Sequence, residues 1–299
     1  MLENEDMRVA LLSHGAITQG WWLGNTPLIL GYEDPTAYLS DPYFMGAMVG
    51  RLANRVSGAC FDLDGRHYCL EANEGPNQLH GGPDGLWSRS WSINAISPSE
   101  ALLTFHSPDG DGGYPAAVDL RMTVTLGRDS LTYQIEARPD RPTPLSLAQH
   151  NYYCLGEGGL SLHVNAAGCL ELDVAQVPTG NVLPLSCTTH DLRTGTALGK
   201  DGPDIDHFYL FDADRDPTEP KATLRAKSGL TLAFFSDQPG AQVYTAHGLG
   251  HPFAPRAGLC FEPSGYPDAV NCAAFPSVIA TPDAPYRQTL RLVVSGRAD

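Results

Sequence analysis

Short runs of alternating apolar and polar residues, each ended by turn-forming residues, constrain the fold of this chain more than any other feature. In residues 120–126 every second side chain is apolar, which is the period of a strand with one buried face. Similar short runs of strand-forming residues occur at 102–105, 131–137, 230–235 and 289–294. The chain is therefore predicted to be mostly β.

Clusters of Gly, Pro, Asp and Asn separate these runs, for example at residues 109–115, 138–144 and 212–220. The 24 prolines disfavour long helices, and the one helical signal is a short turn near residues 35–39. We find no internal repeat, low-complexity tract or linker. The prediction is an all-β chain: a single domain over residues 1–299, built as one large antiparallel β-sandwich.

Charge narrows the classes of partner. Lys and Arg number 19 against 34 Asp and Glu, which gives a formal charge of -15. A phosphate backbone or an anionic membrane surface repels such a chain, so neither nucleic acid nor membrane is an expected partner. The first ten residues are polar and acidic, unlike a secretory signal, and no apolar run reaches membrane-spanning length.

The seven cysteines form an odd set with no C-x-x-C pair. This pattern is typical of a reducing compartment, in which free cysteines behave as small buried hydrophobes. We therefore expect a cytoplasmic location and buried free thiols.

Two segments carry polar residues suited to a pocket, Gly-Arg-Leu-Ala-Asn-Arg at 50–55 and Asn-Gln-Leu-His-Gly-Gly at 77–82. Arg55 offers a fixed fork of donors, and the glycines after His80 allow the backbone to approach a ligand closely. Taken singly, Arg51 or Arg55 is as well explained by bracing a loop through carbonyl groups, and His80 by capping a turn. Their combination is what favours a pocket.

A polar and aromatic cluster at 149–152 follows an apolar segment, where the end of a strand would expose it. It contains His150, a candidate acid or base because the ordinary pKa of histidine is about 6.5. Two carboxylates stand out, Asp206 and Glu262. Glu262 ends an apolar run before a proline, so we expect it at a strand end near the core, where burial raises a carboxyl pKa. The alternative is a loop carboxylate bonded to backbone amides beside Asp268 or Asn271.

The sequence contains no H-E-x-x-H or paired-cysteine motif, and His80, His150 and His207 lie far apart along the chain. Gly-Asp-Gly-Gly at 110–113 lacks the lysine and the helix of a phosphate-binding loop, and is interpreted as a turn. The sequence thus predicts neither a metal nor a cofactor.

Together these segments resemble the aldose 1-epimerase (galactose mutarotase) family over nearly the whole chain. The matching segments are short but numerous and in order: 12–16, 30–34, 50–55, 79–82, 111–115, 150–153, 206–208, 242–245 and 262–271. The resemblance implies a β-sandwich of the galactose mutarotase-like supersandwich type with an open cleft for a monosaccharide. It implies an isomerase that interconverts the α and β anomers of a free aldose such as galactose or glucose. A monomer or homodimer is expected.

The resemblance also implies roles for seven residues. Glu262 would take the proton of the anomeric hydroxyl while His150 donates one to the ring oxygen, so that the ring opens to the aldehyde. His80 would hold or polarise the ring oxygen. The residues expected to bind sugar hydroxyls are Asn54, Arg55, Asp206 and Gln242.

The chain departs from the family at Gln149, which stands where Asn is usual, and at Cys154, near another usual Asn. The stretch after Gln242 is shorter and richer in proline than is typical. These departures imply a sugar preference that differs from galactose and a reshaped cleft rim. Leu-His-Gly-Gly at 79–82 resembles the branch that acts on free sugars rather than on hexose 6-phosphates.

Three other functions fit parts of the pattern. A non-catalytic carbohydrate-binding or sugar-sensing protein of the same fold would use the histidine and glutamate only as ligands. A glycoside hydrolase would use Asp206 and Glu262 as its carboxylate pair. An epimerase at another carbon normally needs a cofactor, for which no motif is visible.

Overall fold

The computed structural model describes residues 1–156, 158–188, 191–214, 216 and 218–296, and its regular structure is almost entirely β. Six short 3-10 helices occur in the described ranges: Pro35–Ser40, Ser57–Ala59, Leu86–Ser88, Asp111–Gly113, Leu185–Cys187 and Leu192–Thr194. The first contains the helical turn predicted near residues 35–39. The strands are β1 (Leu2–Glu3), β2 (Met7–Leu11), β3 (Thr18–Leu23), β4 (Thr26–Pro27), β5 (Met48–Val49), β6 (Arg55–Val56), β7 (Cys60–Leu63), β8 (Arg66–Cys69), β9 (Gln78–Leu79), β10 (Ser92–Ser97), β11 (Glu100–Ser107), β12 (Val118–Leu126), β13 (Ser130–Pro139), β14 (Thr143–Pro144), β15 (Ala148–Gln149), β16 (Tyr152–Tyr153), β17 (Leu160–Val164), β18 (Ala166–Leu172), β19 (Pro178–Leu183), β20 (Thr196–Leu198), β21 (Asp206–Phe211), β22 (Ala222–Ala226), β23 (Thr231–Ser236), β24 (Gly240–Tyr244), β25 (Leu259–Ser264), β26 (Ile279–Ala280) and β27 (Tyr286–Ser295).

Two large antiparallel sheets form the body of the molecule. The larger has nine strands in the order β10-β11-β12-β13-β27-β23-β22-β17-β20, and the smaller has six in the order β16-β25-β24-β21-β18-β19. A four-stranded sheet of β1 to β4 and several two-stranded ladders complete the structure. This confirms the predicted all-β class.

The two large sheets pack face to face, as the sandwich prediction requires. The rings of Phe234 in β23 and Phe261 in β25 are 4.6 Å apart between centroids, and Tyr153 in β16 lies 4.9 Å from the same Phe234. Buried side chains of both sheets belong to one contiguous apolar cluster. Removing this apolar surface from water is the main term that stabilises the fold.

The alternation read from the sequence is what directs side chains into this core. In β12 the buried residues occur at every second position, and β13 pairs with it in antiparallel register with the same alternation. Because successive strand residues point to opposite faces, such a pattern fixes which face of the sheet is covered. The five runs predicted as strands all lie within or overlap strands β11, β12, β13, β23 and β27.

The expectation of buried thiols was wrong in part. Cys154, Cys169 and Cys260 are buried, but Cys60 and Cys272 are only half-buried and Cys69 is exposed. Their strand or loop positions turn them away from the core. The side chain of Cys187 lies outside the described residues. Within the described ranges, no helix is long and apolar enough to cross a membrane.

Arg51 confirms the structural interpretation weighed for it. The guanidinium is buried and donates to the carbonyl oxygens of Pro115 and Ala116 at 2.9 Å, and to Ser107 Oγ at 2.7 Å from Nη2. It braces the loop before β12 and takes no part in the cleft described next.

Candidate active site

A cleft of about 360 Å³ lies on the outer face of the six-stranded sheet. In β25 the side chain of Phe261 enters the core, so the next residue, Glu262, points the other way, towards the cleft. Gln242 of β24 is directly opposite Glu262 in the ladder. Asp206 begins β21, and its carboxylate Oδ1 accepts from Gln242 Nε2 at 2.6 Å. Three adjacent strands thus place three predicted site residues on one face.

His150 reaches the same cleft from the chain between β15 and β16. Backbone bonds fix this segment on both sides: His150 N–H donates to the Ala47 carbonyl at 2.8 Å, and Gly46 N–H donates to the His150 carbonyl at 2.9 Å. His150 Nε2 lies 3.7 Å from Glu262 Oε2. The two residues predicted as acid and base are therefore brought together from positions more than one hundred residues apart.

The structure corrects two details of the sequence-based expectation for this pair. Residues 149–152, expected to be exposed at a strand end, are buried. Glu262 lies inside β25 rather than at its end, and the suggested neighbours Asp268 and Asn271 bond to each other instead. The segment after β15 is covered because β5 pairs with β15 and β16 pairs with β25.

Burial shifts the acid–base properties of the pair in opposite directions. It raises the pKa of Glu262 to about 8, and the nearby charge of Asp206 adds to this, while Arg55 opposes it. Burial also lowers the pKa of His150 to about 4. Each shift has the same cause, since a low-dielectric site disfavours the charged form of either group. At neutral pH the pair therefore holds one proton, and these two shifts place it on Glu262.

His80 lies on the other side of the cleft, after β9, which pairs with the strand β6 that starts at Arg55. Its ring is 5.1 Å from that of His150 between centroids and is also packed edge-on against Phe44. Burial, followed by the charges of His150 and Arg55, lowers the pKa of His80 well below its usual range. The imidazole is therefore neutral.

A backbone bond selects the tautomer of this neutral ring. Asn54 N–H donates to His80 Nδ1 at 3.2 Å, so Nδ1 carries the lone pair and the proton is on Nε2. His80 N–H in turn donates to the Asn54 carbonyl at 3.0 Å. Both residues adopt positive φ, 63° and 55°, and the reciprocal bonds hold them there. His80 is consequently a neutral hydrogen-bond donor.

Folding unites three groups that the sequence spacing kept apart. Donor atoms of His80, His150 and Glu262 lie within 4.8 Å of one another, a set that matches the side chains a divalent transition metal prefers. The tautomer of His80 works against such a role, because a ligating Nε2 must give up its proton and the bond from Asn54 would then face a protonated Nδ1. His207, the third histidine considered, is not in this group.

The two remaining predicted residues, Asn54 and Arg55, also line the cleft. Arg55 pairs with Glu74, with Nε–Oε2 and Nη2–Oε1 distances of 2.5 and 2.8 Å. Asn54 Oδ1 accepts from the Arg55 N–H at 2.8 Å, which ties its side chain to the backbone. All seven predicted site residues thus line one cleft.

Sequence reasoning missed several residues around them. Glu74 sits in a polar turn and gave no signal that it would neutralise Arg55. Cys260 places Sγ 3.7 Å from His150 Nδ1, and its position two residues before Glu262 in the same strand was a signal that it shares the cleft face. The rim contains Tyr43 and His247, the second of which lies in the stretch expected to reshape it.

The chain is similar to known proteins over most of its length. The aldose 1-epimerase family model matches residues 1–293. The galactose mutarotase of Sus scrofa is 31% identical over 318 aligned positions, which cover 98% of this chain and 93% of that protein. The aldose 1-epimerase of Escherichia coli K12 is 30% identical, with 83% and 78% covered.

Two solved structures superpose on this chain over nearly its full length. A crystal structure of an aldose epimerase homologue from C. elegans superposes with a TM-score of 0.92 at 26% identity, covering 99% of this chain and 98% of that one. The galactose 1-epimerase of Lactobacillus acidophilus gives 0.88 at 25% identity, with 98% and 92% covered.

Proposed function

The chain belongs to the aldose 1-epimerase family and is an isomerase, and we propose that Glu262 and His150 are the base and acid with which it interconverts sugar anomers. The observation that carries this proposal is the 3.7 Å approach of His150 Nε2 to Glu262 Oε2 inside a cleft where both are buried. A module that only binds sugar needs hydroxyl partners and aromatic faces, but no buried acid–base pair.

The proposed reaction has two proton transfers. Glu262, as the carboxylate, takes the proton from the anomeric hydroxyl, while His150 donates one to the ring oxygen. The bond between C1 and the ring oxygen breaks as C1 becomes the aldehyde carbonyl. Rotation about C1–C2 presents the other face, and reclosure with the roles exchanged gives the other anomer.

The single proton of the pair must therefore lie on His150 when the sugar is bound. Hydrogen bonds from sugar hydroxyls to Glu262 favour its carboxylate form, and they lower a pKa that burial alone had raised. The proton then moves to the imidazole over a short distance. His80, as a neutral Nε2–H donor, supplies a hydrogen bond to the ring oxygen without adding a charge.

The remaining cleft residues are proposed to bind hydroxyl groups. Asp206 accepts hydrogen bonds, and its orientation is set by Gln242. Asn54 and Arg55 offer groups on the opposite wall. Aromatic rings of Phe44, Tyr152 and Tyr244 provide apolar surface for the C–H faces of the sugar.

Charge in the cleft supports a free aldose as substrate rather than a phosphorylated one. Arg55 is the one Lys or Arg among the described residues that line the cleft, and Glu74 already neutralises it. Asp206 and Glu262 make the surroundings acidic. A phosphate group brought here would lack a cation and would face like charges.

Polarimetry of freshly dissolved α-D-galactose and α-D-glucose tests this function. The purified protein is expected to accelerate the approach to anomeric equilibrium for at least one of them, and to act at least about tenfold less efficiently on galactose 6-phosphate. Nitrophenyl galactosides provide the control, since a glycoside hydrolase would release nitrophenol. Absence of acceleration with galactose, glucose, arabinose, xylose and fucose would contradict the proposal.

We further propose that the chain works in the cytoplasm as one domain, as a monomer or homodimer. The shared core of the two large sheets supports one domain, and the odd set of seven cysteines without a C-x-x-C pair supports a reducing compartment. Light scattering coupled to size exclusion measures the mass directly.

A further inference from the structure

The hairpin of β7 and β8 places two cysteines directly opposite each other. Its ladder pairs Cys60 with Cys69, and the next pair is Phe61 with Tyr68. The turn consists of Asp64 and Gly65, both at positive φ, 51° and 74°. A two-residue turn of this kind fixes the register of the strands that follow it, so the opposition of the two thiols is built into the sequence.

The type of pair at this position suits a disulfide. Leu70 N–H donates to the Ala59 carbonyl at 2.8 Å, so the pair just outside the two cysteines is hydrogen-bonded. Pairs alternate along an antiparallel ladder, which makes Cys60 and Cys69 a pair without mutual backbone bonds. Such pairs have Cα atoms about 4.5 Å apart and their side chains close, within the range of about 4.4–6.8 Å that a disulfide spans.

Neighbouring pairs in the same hairpin show that opposed side chains do meet. Asp62 and His67 form the pair two steps closer to the turn, so they share the face of the cysteines, and they make an ion pair of 2.9 Å. Phe61 and Tyr68 stack on the other face with centroids 5.2 Å apart. The two thiols therefore project side by side from the outer face of the hairpin.

Accessibility separates this pair from the buried cysteines, and the exposed thiol of Cys69 separates it from the half-buried Cys272. Cys69 is exposed and Cys60 is half-buried, whereas Cys154, Cys169 and Cys260 are buried. Thiol oxidation by a soluble reagent requires contact with solvent. The hairpin thus offers the reagent an open first thiol and holds the second within reach.

We propose that Cys60 and Cys69 are a modification site at which a disulfide oxidant such as oxidised glutathione forms an intramolecular disulfide. The Cys69 thiolate attacks one sulfur of the oxidant, which forms a mixed disulfide and releases one glutathione thiolate. The Cys60 thiolate then attacks Sγ of Cys69 and releases the second. The two thiols lose two protons and two electrons, and the oxidant is reduced to two thiols.

The position of the hairpin determines how the disulfide would affect activity and stability. It lies in the chain between Arg55 and Glu74, which form the ion pair at the cleft wall, and neither cysteine lines the cleft. The Cys60 carbonyl also accepts from Asn271 Nδ2 at 2.9 Å, which anchors the start of β7. A crosslink here fastens the wall without changing its geometry, so activity is retained and resistance to heat increases.

The test treats the reduced full-length protein with oxidised glutathione and then measures free thiols in denaturant, intact mass and tryptic peptides. The expected result is the loss of two thiols and a mass lower by two hydrogen atoms. A disulfide should join the peptides on either side of Arg66. The midpoint of thermal inactivation should rise by about 3 °C and return after treatment with dithiothreitol.

Two variants separate this pair from the remaining thiols. Cys69→Ser should form no intramolecular disulfide, and its inactivation midpoint should not respond to the oxidant. Cys272→Ser, which removes another half-buried thiol, should behave as the wild type. The proposal fails if the wild type gains only glutathione adducts, if Cys60 pairs with a different cysteine, or if Cys69→Ser still loses two thiols without gaining mass.

Discussion

Two histidine–carboxylate pairs in this molecule have similar composition and opposite surroundings. His106 and Asp119 approach to 2.7 Å between Nδ1 and Oδ1, but 62% and 75% of their side chains are exposed. His150 and Glu262 are farther apart, at 3.7 Å, with 5% and 4% exposed. The exposed pair lies in a groove of about 600 Å³ on the outer face of the nine-stranded sheet, which is larger than the cleft.

Neither a short histidine–carboxylate distance nor a large surface groove is therefore enough to indicate acid–base chemistry. Water solvates both members of the exposed pair and screens their attraction, so such a pair contributes about 0–1 kcal/mol to stability. His150 and Glu262, the inner pair, are instead buried, which raises the pKa of Glu262 to about 8 and lowers that of His150 to about 4. Between these two values the pair holds one proton. Desolvation, rather than a short distance, gives the buried pair the pKa values that its proposed role as acid and base requires.

The largest expected effect comes from removing the imidazole of the inner pair. His150→Gln should lower kcat by roughly 10³-fold, because general acid catalysis contributes about 10²–10⁴. His106→Gln is the matched control and should leave kcat within about twofold. Polarimetry of galactose or glucose mutarotation measures both, and an equal loss in the two variants would remove the distinction between the pairs.

The next largest effect is on the free energy of unfolding. Replacing Glu262 should increase stability although it lowers activity. The pKa of Glu262 is about 8 in the folded chain against an ordinary value of 4.5, so the folded state keeps a proton that the unfolded state loses above pH 4.5. Stability from this group is fully present below pH 4.5 and is lost as pH rises to 8.

Glutamine cannot lose a proton, so Glu262→Gln should not lose stability as the pH rises. It should be more stable than the wild type by roughly 2–5 kcal/mol at pH 8, and the difference should shrink towards zero near pH 4.5. Urea unfolding at several pH values measures the difference. Asp119→Asn should change stability by less than about 0.5 kcal/mol at every pH. A difference that does not vary with pH would show that Glu262 is not protonated by burial.

Asp206 is proposed to bind a sugar hydroxyl beside His150 and Glu262, so its replacement should have an intermediate effect. Asp206→Asn removes charge-assisted hydrogen bonds, worth about 1.5–3 kcal/mol each, and should lower kcat/KM by roughly 10–100-fold, mainly through KM. It also removes a charge that raises the pKa of Glu262. The basic limb of the pH profile should therefore move to lower pH, a shift that mere loss of binding would not produce.

The smallest effect is that of pH on wild-type kcat/KM, which should change about tenfold per pH unit on either side of its plateau. The active form holds one proton in the inner pair. Deprotonation above about pH 8 removes the acid, and a second proton below about pH 4 fills the base, so kcat/KM should fall on both sides. A single acidic limb near pH 6.5 would indicate a solvated histidine instead.

The sequence predicted the architecture because strand alternation is a local signal. Residues 120–126 and 131–137 already show which face is buried, and the turn clusters between runs disfavour long helices. It also pointed to His150 and Glu262 as candidates, since an ionisable residue that interrupts or ends an apolar run is unusual, and the fold brings the two into one cleft. These inferences depend only on residues close together in the chain.

What the sequence did not give is burial created by distant segments. The cover over residues 149–151 comes from β5 and β25, and the partner of Arg55, Glu74, is set by the turn after β8. The opposition of Cys60 and Cys69 was readable in principle, because Asp64-Gly65 between two short runs is a strong hairpin signal. It was missed because the cysteines were counted by spacing along the chain alone.

The most direct measurement of the central claim is the mutarotation rate of Glu262→Gln at saturating sugar, beside Asp119→Asn. The account predicts a loss in kcat of at least about 10³-fold with KM changed only a few-fold, and no change for the exposed pair. A Glu262→Gln enzyme that retains kcat within tenfold of the wild type would contradict it.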